Sequence, residues 1–156
     1  MAYHYQECGL DSIWLENGYT FHDTPYGRGV SIHATEQLHK VITMWLVNTP
    51  KRINGAELRF IRLEMDLTQR DLAGILGSEE QNVRRWEKAR TAAIPGTADR
   101  LLRVLASEYV EGDGSVRAFV NRMAELNRVE YAEARLRETP QGWKVTDTDT
   151  TADQAC

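Results

Sequence analysis

Apolar residues recur along this chain with two different periods, and the change of period divides it. Over residues 1–33 the pattern is that of short strands. "SIWLENGYTF" is an apolar run, then Asn17-Gly18, then Tyr19 and Phe21 in alternation. Asn-Gly between such runs is a strong hairpin signal, because both turn positions need positive φ. "TPYGRG" supplies a second turn and "GVSIH" a third strand, so the spacing predicts a three-stranded antiparallel sheet. Such a sheet needs a cover. In "ATEQLHKVITMWLVN" the residues Leu38, Val41, Ile42, Trp45 and Leu46 fall at helical spacing and predict the covering helix, stopped before Pro50.

From Asn54 to Val110 the period is helical throughout. Asn54 with Glu57 predicts a capping box for a helix burying Leu58, Ile61 and Met65. Thr68 with Asp71 predicts the cap of the next, burying Leu72, Ile75 and Leu76 and ending at Gly77. Ser78 with Gln81 predicts the cap of a third, and "TADRLLRVLASEYV" a fourth with Leu101, Leu102 and Leu105 inward. After "EGDGS", the residues Val116, Phe119, Val120, Met123 and Leu126 mark one face of a long helix over 115–137. The polar, acidic stretch 138–156 is expected to be disordered. The chain therefore reads as α+β: a small β3-α module at 1–50, a helical domain at 54–110, a C-terminal amphipathic helix at 115–137 and a tail at 138–156.

Charge changes the picture in one place. The net charge of −4 argues against an anionic partner, yet residues 81–103 hold six Arg or Lys (Arg84, Arg85, Lys88, Arg90, Arg100, Arg103) against two acids (Glu87, Asp99). Salt screens beyond about 10 Å, so a local basic patch is what a phosphate would meet. A helix, one glycine and a new helix in "LAGILGSEEQNV" predict a steep turn that projects the start of the third helix outward. Val83 and Trp86 then face the core, while Gln81, Asn82, Arg84, Arg85 and Lys88 face away. The major groove of duplex DNA admits one helix; Gln pairs bidentately with adenine and Arg with guanine.

The stretch "LTQRDLAGILGSEEQNVRRWEKAR" resembles the helix-turn-helix of the lambda-repressor/Cro (XRE-like) family. The matching marks are Thr68-Gln69, Leu72-Ala73, Leu76-Gly77, Val83 and Arg85-Trp86-Glu87-Lys88, within residues 54–110. Ala89, where many relatives have glycine, and the groove-facing acid Glu80 depart from the pattern. The resemblance implies a Cro/lambda-repressor-like domain in which Glu80, Gln81 and Arg85 reach bases; Asn82 and Arg84 are expected to read bases with them because they face away from the core. It also implies a phosphate contact at Gln69 and a structural ion pair between Arg62 and Glu87; the flanking Lys88 and Arg90 are expected to take phosphates as well. The order of modules is similar to that of MqsA-type antitoxins, without the paired cysteines of their zinc site.

The function expected is that of a sequence-specific DNA-binding transcription regulator, a repressor, acting as a homodimer on an inverted-repeat operator. The alternative is an antitoxin of a type II toxin–antitoxin system, binding a toxin protein and autoregulating its operon. No enzyme is expected: no nucleophile–base pair or carboxylate cluster stands out. No metal or other cofactor is expected either, since His4, Cys8, His22, His33 and His39 lack the tight spacing of structural zinc sites. Cys8 and Cys156 suggest no disulfide framework, and "MAYHYQECGL" has neither the basic nor the apolar region of a secretory signal, so a cytoplasmic location without membrane contact is expected.

Overall fold

The computed structural model describes residues 2–123, 125–126 and 128–152. They fall into two compact units, Met1–Val120 and Asn121–Cys156. The architecture is α+β, with small antiparallel sheets and helices. No helix among the described residues is long and apolar enough to cross a membrane.

The first unit begins with two separate ribbons rather than one three-stranded sheet. Strand β1 (Tyr3–His4) pairs with β2 (Trp14–Leu15), and β3 (Tyr19–Thr24) with β4 (Gly27–Ile32). Gly18 does adopt the positive φ, 82°, expected of Asn17-Gly18. The residues before it are already paired to Tyr3 and His4, where the His4 ring stacks on Trp14 at 4.1 Å. The turn therefore links two ribbons instead of closing a hairpin. The hairpin turn is Thr24–Gly27, where the Thr24 hydroxyl donates to the Gly27 carbonyl (2.6 Å) and accepts from the Tyr26 N–H (3.2 Å). Tyr3, from the first ribbon, packs on Tyr19 and Phe21 of the second, with ring centroids 5.2 and 5.8 Å away.

Helix α1 (Thr35–Asn48) does not lie with its whole predicted stripe inward. Ile42 and Leu46 are buried, whereas Val41 and Trp45 are 60% and 46% exposed. Its packing partners are α2 (Gly55–Glu64) and α5 (Gly96–Glu111), so the buried stripe is turned toward Thr43. That threonine serves as a core residue because its hydroxyl donates to the His39 carbonyl one turn back (2.8 Å). The N-terminal strands meet this helix through His39. Glu64 can only accept, so the His39 Nδ1–H donates to it (2.8 Å), leaving Nε2 facing the Tyr5 hydroxyl (2.8 Å).

The caps of the helical part follow the sequence. Asn54 and Glu57 close a full capping box on α2; Thr68 and Asp71 close another on α3 (Gln69–Leu76). Leu58, Ile61, Met65, Leu72, Val83, Leu102 and Leu105 form the core they enclose. The boundary expected near residue 50 does not separate two bodies. Arg103 of α5 donates to the carbonyls of Leu46 (3.2 Å), Val47 (2.8 Å) and Thr49 (2.9 Å) at the end of α1, and to that of Lys51. These are carbonyls that a helix C-terminus leaves without an internal partner, plus those just beyond it. Asp99 holds Arg103 in place (2.6 Å) and accepts from the Ile53 N–H (2.7 Å). Burial works to raise the Asp99 carboxyl pKa; the hydrogen bonds from Arg103 and Ile53 and the charges of Arg103 and Arg100 outweigh it and leave it lowered.

Helix α6 (Ser115–Met123), with Val116 and Val120 buried, is much shorter than the helix expected over 115–137. In the second unit, β5 (Val129–Thr139) pairs with β6 (Gly142–Ala152), so both the end of that helix and the disordered tail give way to a hairpin. Thr139-Pro140-Gln141-Gly142 repeats the form of Thr24-Pro25-Tyr26-Gly27. The bonds repeat too: Thr139 Oγ1 donates to the Gly142 carbonyl (2.8 Å) and accepts from the Gln141 N–H (3.2 Å). Proline cannot continue a helix, and the threonines of 146–151 are β-branched and favour a strand. The end of the expected tail, 153–156 with Cys156, lies outside the described residues.

Candidate nucleic-acid interface

Helix α3 ends at Gly77, whose left-handed φ of 66° is the conformation only glycine adopts without strain. The Ser78 N–H returns to the Ala73 carbonyl (2.9 Å), and α4 (Glu80–Lys88) sets off in a new direction. The cap expected at Ser78 and Gln81 does not form. The N-cap is Glu79, with no side-chain cap bond, and the Ser78 hydroxyl accepts instead from Asn82 Nδ2 (2.9 Å). Starting the helix one residue later leaves the Gln81 side chain exposed near its N-terminus.

Three features fix the face that α4 presents. Val83 is fully buried against the core. Gly55 lets the start of α2 approach the end of α4 so closely that a Cβ there would sit 1.9 Å from the Trp86 carbonyl oxygen. Glu87 is 6% exposed and Arg62 8%; they form a bidentate pair, Nε to Oε2 at 2.7 Å and Nη2 to Oε1 at 2.9 Å. The remaining Arg62 nitrogen donates to the Leu67 carbonyl (2.9 Å), so one guanidinium ties α2, the α2–α3 link and α4 together.

The residues singled out in the sequence divide accordingly. Glu80, Gln81, Arg84, Arg85 and Lys88 all lie exposed on α4. Glu80 accepts from Arg84 one turn on (3.1 Å), which offsets the acid at this surface. Asn82 is half-buried and accepts from Arg85 Nη2 (2.8 Å), so it positions that guanidinium while its amide faces Ser78. Gln69 turns its amide toward Glu87 (3.4 Å). Arg90 donates to the Gly9 carbonyl (2.7 Å), a contact no sequence pattern indicated. Arg100 and Arg103, counted in the same basic stretch, bond to Gly96 and to the end of α1 instead.

A cleft of about 620 Å³ opens between these elements, lined by Arg59, Arg62, Thr68, Gln69, Glu80, Arg84, Glu87 and Lys88. Arg59 was not foreseen, although it stands one helical turn before Arg62; its Nε is 4.0 Å from Glu87. The cleft thus has basic walls around two carboxylates, Glu87 held by Arg62 and Glu80 by Arg84.

The histidines are dispersed: His4 against Trp14, His33 beside Thr20, His22 beside Ser31, and His39 between Tyr5 and Glu64. Among the described residues no three His, Cys, Asp or Glu side chains group as metal ligands would. Cys8 is free, and burial is the main cause that pushes its thiol pKa up. Compared with known proteins, the chain matches no family model, no curated protein and no solved structure.

Proposed function

We propose that this chain is a cytoplasmic transcription repressor that reads duplex DNA in the major groove with α4. The observation that carries the reading is the division of that helix. Val83 and Glu87 anchor it inside, while Gln81, Arg84, Arg85 and Lys88 stand together outside, next to the turn at Gly77. Gln81 and Arg85 are the base readers; Asn82 positions Arg85. Lys88, Arg59 and Arg90 take phosphates, which fix register but carry no direct sequence information. A single helix reads too few base pairs to select one site in a genome, so the protein acts as a homodimer on an inverted repeat, with two recognition helices about 34 Å apart.

Selection of bound sequences from a random DNA pool, followed by gel shifts at increasing salt, tests this. The expected result is a two-fold-symmetric site and a loss of about 10³–10⁵ in affinity between 50 and 200 mM salt. No enriched sequence, or an affinity flat with salt, would sink it.

A toxin-binding role has one observation in its favour. Trp14, Phe21 and Tyr26 are exposed on the N-terminal ribbons, a form of surface that partners cover. Co-purification of a stoichiometric partner with the wild type, lost in a Trp14→Ser/Phe21→Ser variant, would support it.

A further inference from the structure

The second unit is a long ribbon that does not satisfy its own charges. Within the hairpin, Glu133 stands opposite Asp149 and Arg137 opposite Lys144. Like charges directly opposite each other destabilise a strand pair; only Arg135 opposite Asp147 is attractive. Alternation puts Tyr131, Glu133, Arg135 and Arg137 on one face of β5, and Ala132, Ala134 and Leu136 on the other. Both faces are exposed, and a two-stranded ribbon exposed in this way is marginal until further strands join it.

The two edges differ. The register irregularity between Arg135 and Leu136 leaves an extra residue, Thr146, in β6, which also carries Asp147 and Asp149. Bulges and edge charges of this kind discourage pairing. Strand β5 has an extra residue of its own, Glu130, but at its start, so the stretch Tyr131–Thr139 runs without interruption, whereas the extra residue of β6 falls mid-strand.

We propose that β5 pairs antiparallel with β5 of a second copy, about a two-fold axis at Ala134. In that register Glu133 faces the partner's Arg135 and Arg135 the partner's Glu133. Tyr131 faces the partner's Arg137, a cation on an aromatic ring. On the other face Ala132 meets the partner's Leu136, small against large, and Ala134 meets its own counterpart. Moving the axis to Arg135 or to Glu133 sets that residue against its own counterpart at the centre, and moving it to Leu136 sets Arg135 against Arg137. With the axis at Ala134 the one like pair, Glu130 with the partner's Glu138, falls at the irregular start of β5, outside the regular stretch, so the central charges favour this register. Each Glu133 gains the opposite charge that its own hairpin denies it. The product is a four-stranded antiparallel sheet with one charged face, and one face carrying Leu136, Val145 and Trp143 from each copy, with Glu138 at its end.

This deepens the dimeric reading above and rests on it for its use on DNA, but its test needs no DNA. Sedimentation of the full chain over a concentration series, with far-ultraviolet dichroism to check folding, compares wild type, Glu133→Arg and Arg135→Glu. The wild type should dimerise, and each variant alone should self-associate about tenfold more weakly or worse, because the register then sets two like-charge pairs across the axis. Mixing the two variants should restore dimers, since every cross-axis pair becomes opposite in charge. A mixture that stays monomeric, variants that dimerise like the wild type, or a wild type monomeric throughout would overturn the proposal. Gel shifts on the same samples separate the two readings. Dimers that bind no DNA would defeat the DNA reading and leave this one standing; DNA binding by a chain that never dimerises through β5 would do the reverse.

Discussion

Arg90, two residues past the end of α4, donates a hydrogen bond of 2.7 Å to the Gly9 carbonyl, so the loop after β1 is fastened to the end of that helix. The guanidinium has five donors, and the side chain remains exposed, so the bond leaves others for phosphate. Arg90→Ala should therefore weaken binding to operator and random DNA alike. It should also speed proteolysis near Gly9 while costing only about 0.5–1.5 kcal/mol of stability. Parallel gel shifts and limited digestion check both halves.

Gly55→Ala should be among the most damaging single changes. Its Cβ would meet backbone carbonyls of Trp86 and Ala89, at 1.9 and 2.8 Å, which no rotamer change relieves. Overpacking of this kind costs about 1–3 kcal/mol or more, and here it also displaces α4, so DNA binding should fall with thermal stability. Gly74→Ala is the control. Nothing lies within 4 Å of the added Cβ, and α3 should gain about 0.5–1 kcal/mol. Thermal melts that coincide for the two variants would refute the close approach.

Glu87→Ala leaves Arg62 buried without its carboxylate, a change worth about 3–5 kcal/mol. Arg84→Ala removes only the exposed pair with Glu80 and should stay within about 0.5 kcal/mol. Urea unfolding of both variants measures the difference.

Asp99 makes stability depend on acid pH. Its carboxyl is held below the ordinary value of 3.8, so its contribution is complete above that value and is lost as pH falls through the lower folded one. Asp99→Asn should lower stability at neutral pH by about 1–3 kcal/mol and flatten the acid limb below about pH 4. Melting temperatures of both proteins across that range would show it; parallel acid limbs would rule it out.

Arg85→Ala should cost about 1–3 kcal/mol on the selected site and relax preference at one base position. Asn82→Ala should cost less, because it loosens Arg85 without removing it. Competition gel shifts against single-base variants of the site distinguish the two.

The sequence was most informative where a local bond and a long-range need coincide. Both capping boxes, the glycine at the end of α3 and the buried faces of α2 to α5 follow from spacing alone, since the same residues satisfy the backbone and fill the core. Strand pairing was harder to read. Asn17-Gly18 has the backbone of a hairpin turn, but the residues before it are taken by Tyr3 and His4, and partner choice is decided at a distance. Helical spacing carried past Met123 because Leu126 prolongs it by chance; the Thr-Pro-Gln-Gly turn, an echo of Thr-Pro-Tyr-Gly, was the available signal against it. On α4 the outward residues were legible, while the bonds of Arg90 to Gly9 and Asn82 to Ser78 depend on how loops return.

Arg103 gives the first unit the character of an arch closed by one stone. Its guanidinium reaches three consecutive stretches of main chain across the junction of α1 and α2, at Leu46–Val47, Thr49 and Lys51. A shortened chain beginning at Asn54 would leave that cation facing water beside a bared strip of α5, and should be prone to aggregation. The same stone governs how a signal could travel. An occupant of the N-terminal ribbons would find no hinge at residues 49–53 to swing on, so it would act on α4 by leaning on a braced frame, or by physically covering it.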